Sequence, residues 1–380
     1  MFSIVLNVVG TLLHFYVAQR LHRLLRARER VQVRAGAWWM GAVLVWLFYL
    51  LGVHLGKSDG DWRWWPEQFA LAWLGLMLTM SLCLLAADLV TGFGFWWREC
   101  APRLLALAAL AGVALSVFAV YQGVRAPAIV EQEVVLKDLP ANLDGTVLVM
   151  LTDLHLGAQR GAFWMQERVT QVNALRPDAV LMVGDQVEDD RLNDPRLASV
   201  LRGIRAPRGV WAVTGNHEFY GDVETTVAEF GAGGVRWLRN AKVELAPGLV
   251  LAGIEDVARA MRSGGGGGAI TRSLGRVLPA RTGTATILLS HIPAAPVIDM
   301  AAARGVGLML SGHTHGGQIW PFSYLVQRRF PYLVGQHPIG PMTLLISRGA
   351  GSWGPRMRLW QAGEIVRITL RAPRPITASR

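Results

Sequence analysis

Five short motifs rich in acids and histidines occur in order between residues 153 and 315: Asp-Leu-His, Gly-Asp-Gln-Val-Glu, Gly-Asn-His-Glu, Ser-His and Gly-His-Thr-His. Through Asp153, His155, Asp185, Asn216, His291, His313 and His315 they offer carboxylate, imidazole and amide groups, all ligand types for divalent first-row metals. That set suffices for two adjacent ions, one carboxylate bridging them over roughly 3.5–4 Å. A pair of ions with open positions hydrolyses phosphate esters by metal-activated water, and few other chemistries need such a set. The same nitrogen and oxygen ligands accept Mn, Zn, Fe or Co, so the expectation is two divalent ions of unspecified identity. A single buried His is more often hydrogen-bonded structure than ligand, and an Asp after a strand is often a helix cap. Here five motifs in one order outweigh those readings.

Such residues need elements that converge. Short apolar runs at Val147–Leu151, Ala179–Val183, Val210–Val213, Leu249–Ala252, Thr286–Leu289 and Gly307–Leu310 read as strands buried on both faces. Helices are expected over Phe163–Leu175, Arg196–Gly203, Val223–Phe230 and Pro293–Ala303. Strand alternating with helix predicts a layered α/β domain, a sandwich of β-sheets flanked by helices, with functional residues at strand ends. The motif residues all follow a predicted strand. Glycine before Asp185, Asn216 and His313 is expected to let the backbone turn out of each strand.

Before residue 124 the composition is different. The stretches Ser3–Ala18, Ala35–Leu55, Phe69–Ala87 and Leu104–Gln122 each approach the ~20 apolar residues that cross a hydrocarbon core, predicting four transmembrane helices. The expected organisation is therefore an anchor over 1–123, a catalytic domain over 124–371 and a disordered tail over 372–380. Loop one carries Arg20, Arg23, Arg26, Arg28, Arg30 and Arg34 against Glu29, and loop three Arg98 and Arg103 against Glu99. The positive-inside rule puts these loops in the cytoplasm and the catalytic domain outside it, which predicts a multi-pass membrane protein. The only cysteines, Cys83 and Cys100, precede that domain, so an oxidising compartment threatens no thiol in it. After residue 123 there are 28 basic and 21 acidic residues, a net of +7 that suits an anionic surface or substrate. No recognition helix or RNA-binding motif accompanies that charge, so no nucleic-acid partner is expected from motifs.

The five motifs resemble those of the calcineurin-like metallophosphoesterase superfamily, over roughly residues 146–370. Gly-His-Thr-His-Gly-Gly-Gln-Ile-Trp-Pro from Gly312, Ile346–Leu359 and Glu364–Leu370 look like its membrane-anchored YkuE-like branch. The resemblance implies one ion held by Asp153, His155, Asp185 and His315, and a second held by Asp185, Asn216, His291 and His313. It implies that His217 stabilises the transition state or protonates the leaving oxygen. One position departs from the pattern: Glu188 stands where the family's second motif usually has Asp, followed by Asp189 and Asp190. Glu188 is expected to orient His217, with Asp189 as a substitute.

Substrate is read from Ile319–Val326, apolar and aromatic, followed by Arg328, Arg329, Phe330, Pro331 and Tyr332. Beside a bilayer this segment would admit lipid tails while arginines meet a phosphate. The alternative is a hydrophobic loop packed under the sheet. The favoured substrate is a lipid or envelope phosphate, ester or diester. Other readings are a phosphodiesterase of soluble nucleotides or nucleic acid, a non-catalytic metal-binding membrane sensor, and a transporter with a regulatory domain. The Gly264–Gly268 run lacks the Lys-Ser/Thr of a phosphate-binding loop and is expected to be a flexible surface loop.

Overall fold

The computed structural model describes residues 2–26, 34–55, 64–157, 159–188, 194–258, 266–278 and 283–373. Asp189, Asp190 and the tail beyond 373 lie outside them. The chain divides into two compact units, one of residues 1–125 with 354–360, the other of 126–353 with 361–380.

The first unit holds helices α1 (Phe2–Arg26), α2 (Ala35–Leu55), α3 (Trp64–Thr91) and α4 (Ala101–Val124). Leu and Ala dominate the last three, and Pro102 sits in the first turn of α4, where a missing N–H does no harm. Among the described residues three helices are long and apolar enough to cross a membrane: Ala35–Leu55, Trp65–Thr91 and Ala101–Val124. The expected count of four is thus corrected to three. The first stretch is helical, but its described part from Asn7 onward carries Asn7, His14, Arg20, His22, Arg23 and Arg26. Arg20, expected in a loop, lies in α1 with its guanidinium 2.7 Å from Asp88, and Tyr16 donates to the same carboxylate at 2.5 Å. Polar groups of α3 and α4 also meet, Thr79 and Ser116 at 2.5 Å, as groups without water must.

In the second unit twelve strands form two six-stranded sheets among the described residues. Sheet one comprises β1 (Ala128–Val135), β2 (Val147–Leu151), β3 (Ala179–Val183), β4 (Val210–Val213), β5 (Val235–Trp237) and β12 (Glu364–Arg371), in the order β1-β12-β2-β3-β4-β5. Sheet two comprises β6 (Ala241–Ala246), β7 (Leu249–Gly253), β8 (Ala285–Leu289), β9 (Leu308–Ser311), β10 (Gly335–Ile339) and β11 (Met342–Ile346), in the order β10-β11-β9-β8-β7-β6. Because side chains alternate along a strand, β2 sends Leu148 and Met150 into the layer between the sheets, and Val149 and Leu151 outward. Ile287 and Leu289 of β8 meet the inner layer from the other sheet. Helices α5 (Ala162–Ala174), α6 (Leu197–Leu201) and α7 (Val223–Ala232) cover sheet one, and α8 (Gly266–Val277) and α9 (Ala295–Ala303) cover sheet two. A further helix, α10 (Phe322–Arg329), follows β9. This is the layered α/β sandwich expected from the sequence. The glycine run is corrected in part, since Gly266–Gly268 form the first turn of α8 rather than a loop.

Candidate metal centre

Every expected ligand stands just beyond the C-terminal end of a parallel strand. Asp153 and His155 follow β2, Asp185 follows β3 and Asn216 follows β4 in sheet one, while His291 follows β8 and His313 and His315 follow β9 in sheet two. The two sheets are stitched together there: His291 Nδ1 lies 2.8 Å from the Val183 carbonyl, and the His313 N–H reaches Asp153 Oδ2 at 3.1 Å. The backbone is left-handed at Asp153 (φ 54°), His155 (49°), Asp185 (51°), His313 (70°) and His315 (49°). Each such non-glycine residue costs about 1–3 kcal/mol and persists only where the surroundings over-determine it. Of the three glycines expected to turn the chain, Gly184 alone has positive φ, 80°. Gly215 and Gly312 serve by size, since a β-carbon at the first would collide with Asp185 Oδ1 and at the second with Thr152 Oγ1.

The side chains assemble into three groups whose potential ligand atoms lie within 4.8 Å of one another: Asp153 with His155 and His315, His155 with Asp185 and His217, and Asp185 with His291 and His313. His155 Nε2 and His315 Nε2 are 3.1 Å apart, a spacing that suits two imidazoles each ~2.1 Å from one ion. His291 Nε2 lies 3.0 Å from Asp185 Oδ2, and His315 Nε2 3.3 Å from Asp153 Oδ1. Asn216 Oδ1 is buried with no hydrogen-bond partner among the described residues, although its amide donates to Tyr220 Oη at 3.1 Å. A buried unpaired carbonyl oxygen beside such groups fits a metal ligand. The donor set therefore fits divalent ions. Burial disfavours charge on His291, yet Asp185 raises its pKa to about 10. Burial, then the neighbouring His291, drops His313 to about 3, leaving the neutral imidazole that metals bind. Burial raises Asp153, whereas Asp185 is held well below the usual range because His291 outweighs its burial.

Beside the ligands, Glu188 differs from expectation. Its carboxylate pairs with His155, Oε2 to Nδ1 at 2.6 Å. Burial opposes charge on His155, but this carboxylate prevails and raises its pKa. His217 instead meets the backbone carbonyl of Glu188, Nδ1 to O at 2.7 Å. A carbonyl only accepts, so Nδ1 carries the proton and Nε2 is left toward Asp185 Oδ2, 4.0 Å away. Tyr220 packs against the same ring at 4.5 Å. Sequence reasoning missed Glu218. This carboxylate, 1% exposed, accepts backbone N–H bonds from Asp185 at 3.1 Å, Gln186 at 2.6 Å and Gly215 at 2.5 Å, tying the loop after β3 to the loop after β4. Burial and then repulsion from Asp185 raise its pKa to about 7. The available signal was the acid that closes Gly-Asn-His-Glu, directly after His217 and on the opposite side of a tight 3₁₀ turn, His217–Phe219.

Known proteins are similar to this chain. A family model for calcineurin-like phosphoesterases matches residues 146–317. The chain is 32% identical over 279 residues to a zebrafish (Danio rerio) transmembrane protein with metallophosphoesterase domain, covering 71% of this chain and 63% of that one. It thus spans a little under two thirds of that relative's length. An uncharacterized metallophosphoesterase of Campylobacter jejuni is 32% identical over 268 residues, 68% of each chain. The Bacillus subtilis metallophosphoesterase YkuE is 28% identical over 246 residues, 62% of this chain and 82% of its own. The chain belongs to the calcineurin-like phosphoesterases.

Proposed function

We propose that this chain is a membrane-anchored binuclear phosphoesterase whose catalytic unit faces away from the cytoplasm and whose substrate is a lipid or envelope phosphate ester. Asp153, His155, Asp185 and His315 would hold one divalent ion, and Asp185, Asn216, His291 and His313 the other, with Asp185 between them. When bound, the ions supply Lewis acidity toward the phosphoryl oxygens and an activated water. The rest of the chemistry belongs to the side chains. Glu188 fixes the His155 ring through Nδ1, so that Nε2 is the ligand atom. The Glu188 carbonyl accepts the Nδ1–H of His217 and presents Nε2 to the site; in the imidazolium form Nε2–H would hand its proton to the departing oxygen, leaving the neutral Nδ1–H ring.

The observation carrying this reading is the meeting of three acid–histidine groups at strand ends from both sheets, with the Asn216 carbonyl oxygen buried and unpaired beside them. Lipid as the substrate class is supported by the three span-length helices in the same chain. The test is metal analysis of the purified full chain together with a hydrolysis panel of phospholipids, lipid pyrophosphates, nucleotides and aryl phosphodiesters. Asp185→Asn should lose both metal and turnover. Unchanged turnover in that variant would sink the site assignment, and activity confined to soluble nucleotides would end the lipid reading.

A further inference from the structure

We propose that α10 and its flanking aromatics form an interfacial docking surface that seats the mouth of the metal centre on a phospholipid bilayer. The sequence left two readings of this segment open, a lipid contact or a loop packed under the sheet. Ile319 is packed away, at 6% exposure, and Phe330 and Tyr332 at the far end pack partly against the core of sheet two. Trp320 (42%), Phe322 (43%), Tyr324 (62%) and Leu325 (58%) stand in solvent, and none of the eight residues of α10 is buried. Contiguous apolar surface of this kind on a folded domain marks an interaction site.

The chemistry of the patch selects the partner. Phe322 and Leu325, three apart, share a helix face, and the exposed Arg328 and Arg329 lie one turn further along. An apolar turn followed by a basic one matches the boundary between acyl chains and anionic headgroups. Indole and phenol rings at Trp320, Tyr324 and the exposed Trp353 favour that same depth. Three helices of spanning length in this chain keep a bilayer within reach. In sequence Trp353 is followed directly by Gly354–Trp360, which belongs to the helical unit, where the Arg358 N–H bonds the Ala119 carbonyl of α4 at 2.8 Å.

The patch is also fixed to the chemistry. His315 opens a tight turn to Gly317, and a β-carbon on Gly317 would collide with the backbone of Ser323 in α10, so helix and ligand turn are in close contact. Gln318 exchanges two hydrogen bonds with Trp353, Nε2 to the carbonyl at 2.8 Å and the Trp353 N–H to Oε1 at 2.9 Å. A surface seated on lipid would therefore hold the site at headgroup height.

This inference rests on the membrane-anchored reading but not on lipid being the substrate. The test places an environment-sensitive fluorophore at Leu325→Cys in the full chain, with Cys83 and Cys100 replaced by Ser, in phosphatidylcholine–phosphatidylglycerol vesicles. Lys242→Cys, exposed on β6 at the far edge of sheet two from β10, is the control. Brominated acyl chains should quench the label at 325 by at least about twofold and leave the label at 242 unchanged, as expected for burial at the acyl boundary. Equal, weak quenching at both positions would overturn the proposal. So would disulfide cross-linking between two copies of the unlabelled Leu325→Cys chain in the same vesicles, which would assign the patch to a second chain. Quenching at 325 without hydrolysis of any lipid would keep the docking surface and remove only the substrate reading.

Discussion

At the scale of single residues the proposed site separates into groups that would touch ions and groups that would aim them. Glu188 aims, because its carboxylate lies 2.6 Å from His155 Nδ1 while its backbone carbonyl meets His217. Glu188→Ala removes the first contact and leaves the second. Metal affinity should fall roughly 10–100-fold, as for other partners of ligating histidines, while turnover per bound ion changes little. His217→Ala should do the reverse, keeping metal and lowering kcat by roughly 10²–10⁴. Titrating metal into both variants and measuring kcat at saturation distinguishes them; a metal-replete Glu188→Ala enzyme as slow as His217→Ala would mean that the carboxylate acts on His217 after all. Glu218→Gln puts an amide where a carboxylate collects backbone N–H groups, and the loss of one charged acceptor should cost about 1.5–3 kcal/mol. Thermal unfolding in detergent checks it. A variant as stable as the parent would show that the two loops hold their shape without it. The strand-end placement of all seven candidate ligand residues was legible, because each motif carries a ligand-type side chain next to a strand. The partner of Glu188 was not, since a carboxylate three residues beyond Asp185 can reach either histidine and only the fold decides which.

At the scale of elements, what the sequence reveals depends on where the element sits. The central strands were legible, Val147–Leu151 and Ala179–Val183 to the residue, because strands buried on both faces are uninterrupted apolar runs. The edge strands were not: β1 reads Ala-Ile-Val-Glu-Gln-Glu-Val-Val and β10 Gly-Gln-His-Pro-Ile, mostly half-exposed or exposed, with no apolar run to notice. β11, Met342–Ile346, is as apolar as the others and was within reach of the same reasoning. Helix α8 was hidden by its glycines, which disfavour helix, until burial of Ile270, Leu274 and Val277 along one face outweighed that preference. Helix α5 shows a cap invisible in local sequence. Gly161 has no side chain to offer, and Asp194, thirty-odd residues on, accepts the Ala162 N–H at 2.9 Å. Asp194→Ala should cost about 1 kcal/mol, the usual worth of a cap. Its pH dependence has a definite sign. Arg196 first, then the backbone donors, hold the Asp194 carboxyl well below the usual range, so its contribution is present above the unfolded carboxyl pKa of about 4 and disappears as pH falls through the lower folded value. Parent and variant should therefore converge in acid; a difference that widens there would rule out the cap.

At the scale of the whole molecule, the side of the membrane on which the catalytic unit sits follows from the parity of the spans after the first basic loop. Reducing the spans from four to three changes the expected position of the N-terminus and nothing downstream. Arg20 is taken up by Asp88, but Arg23, Arg26, Arg28, Arg30 and Arg34 still precede α2 and favour the cytoplasm. In the proposed topology α2 would cross and α3 return, bringing Arg98 and Arg103 back to the same side, and α4 would then export everything after Val124. The chain carries its own reporter, because Cys100 is exposed in the connection between α3 and α4. In spheroplasts of a bacterial host, a membrane-impermeant maleimide should leave Cys100 unlabelled until the cells are lysed, while Lys242→Cys in the catalytic unit should label at once. The opposite pattern would place the metal centre in the cytoplasm and make soluble phosphodiesters its natural class of substrate. Replacing Arg98 and Arg103 by Glu should leave the labelling pattern unchanged, since the five arginines before α2 set the orientation and acidic residues contribute little to it; a variant that labels Cys100 in intact spheroplasts would show that the short α3–α4 connection governs orientation instead.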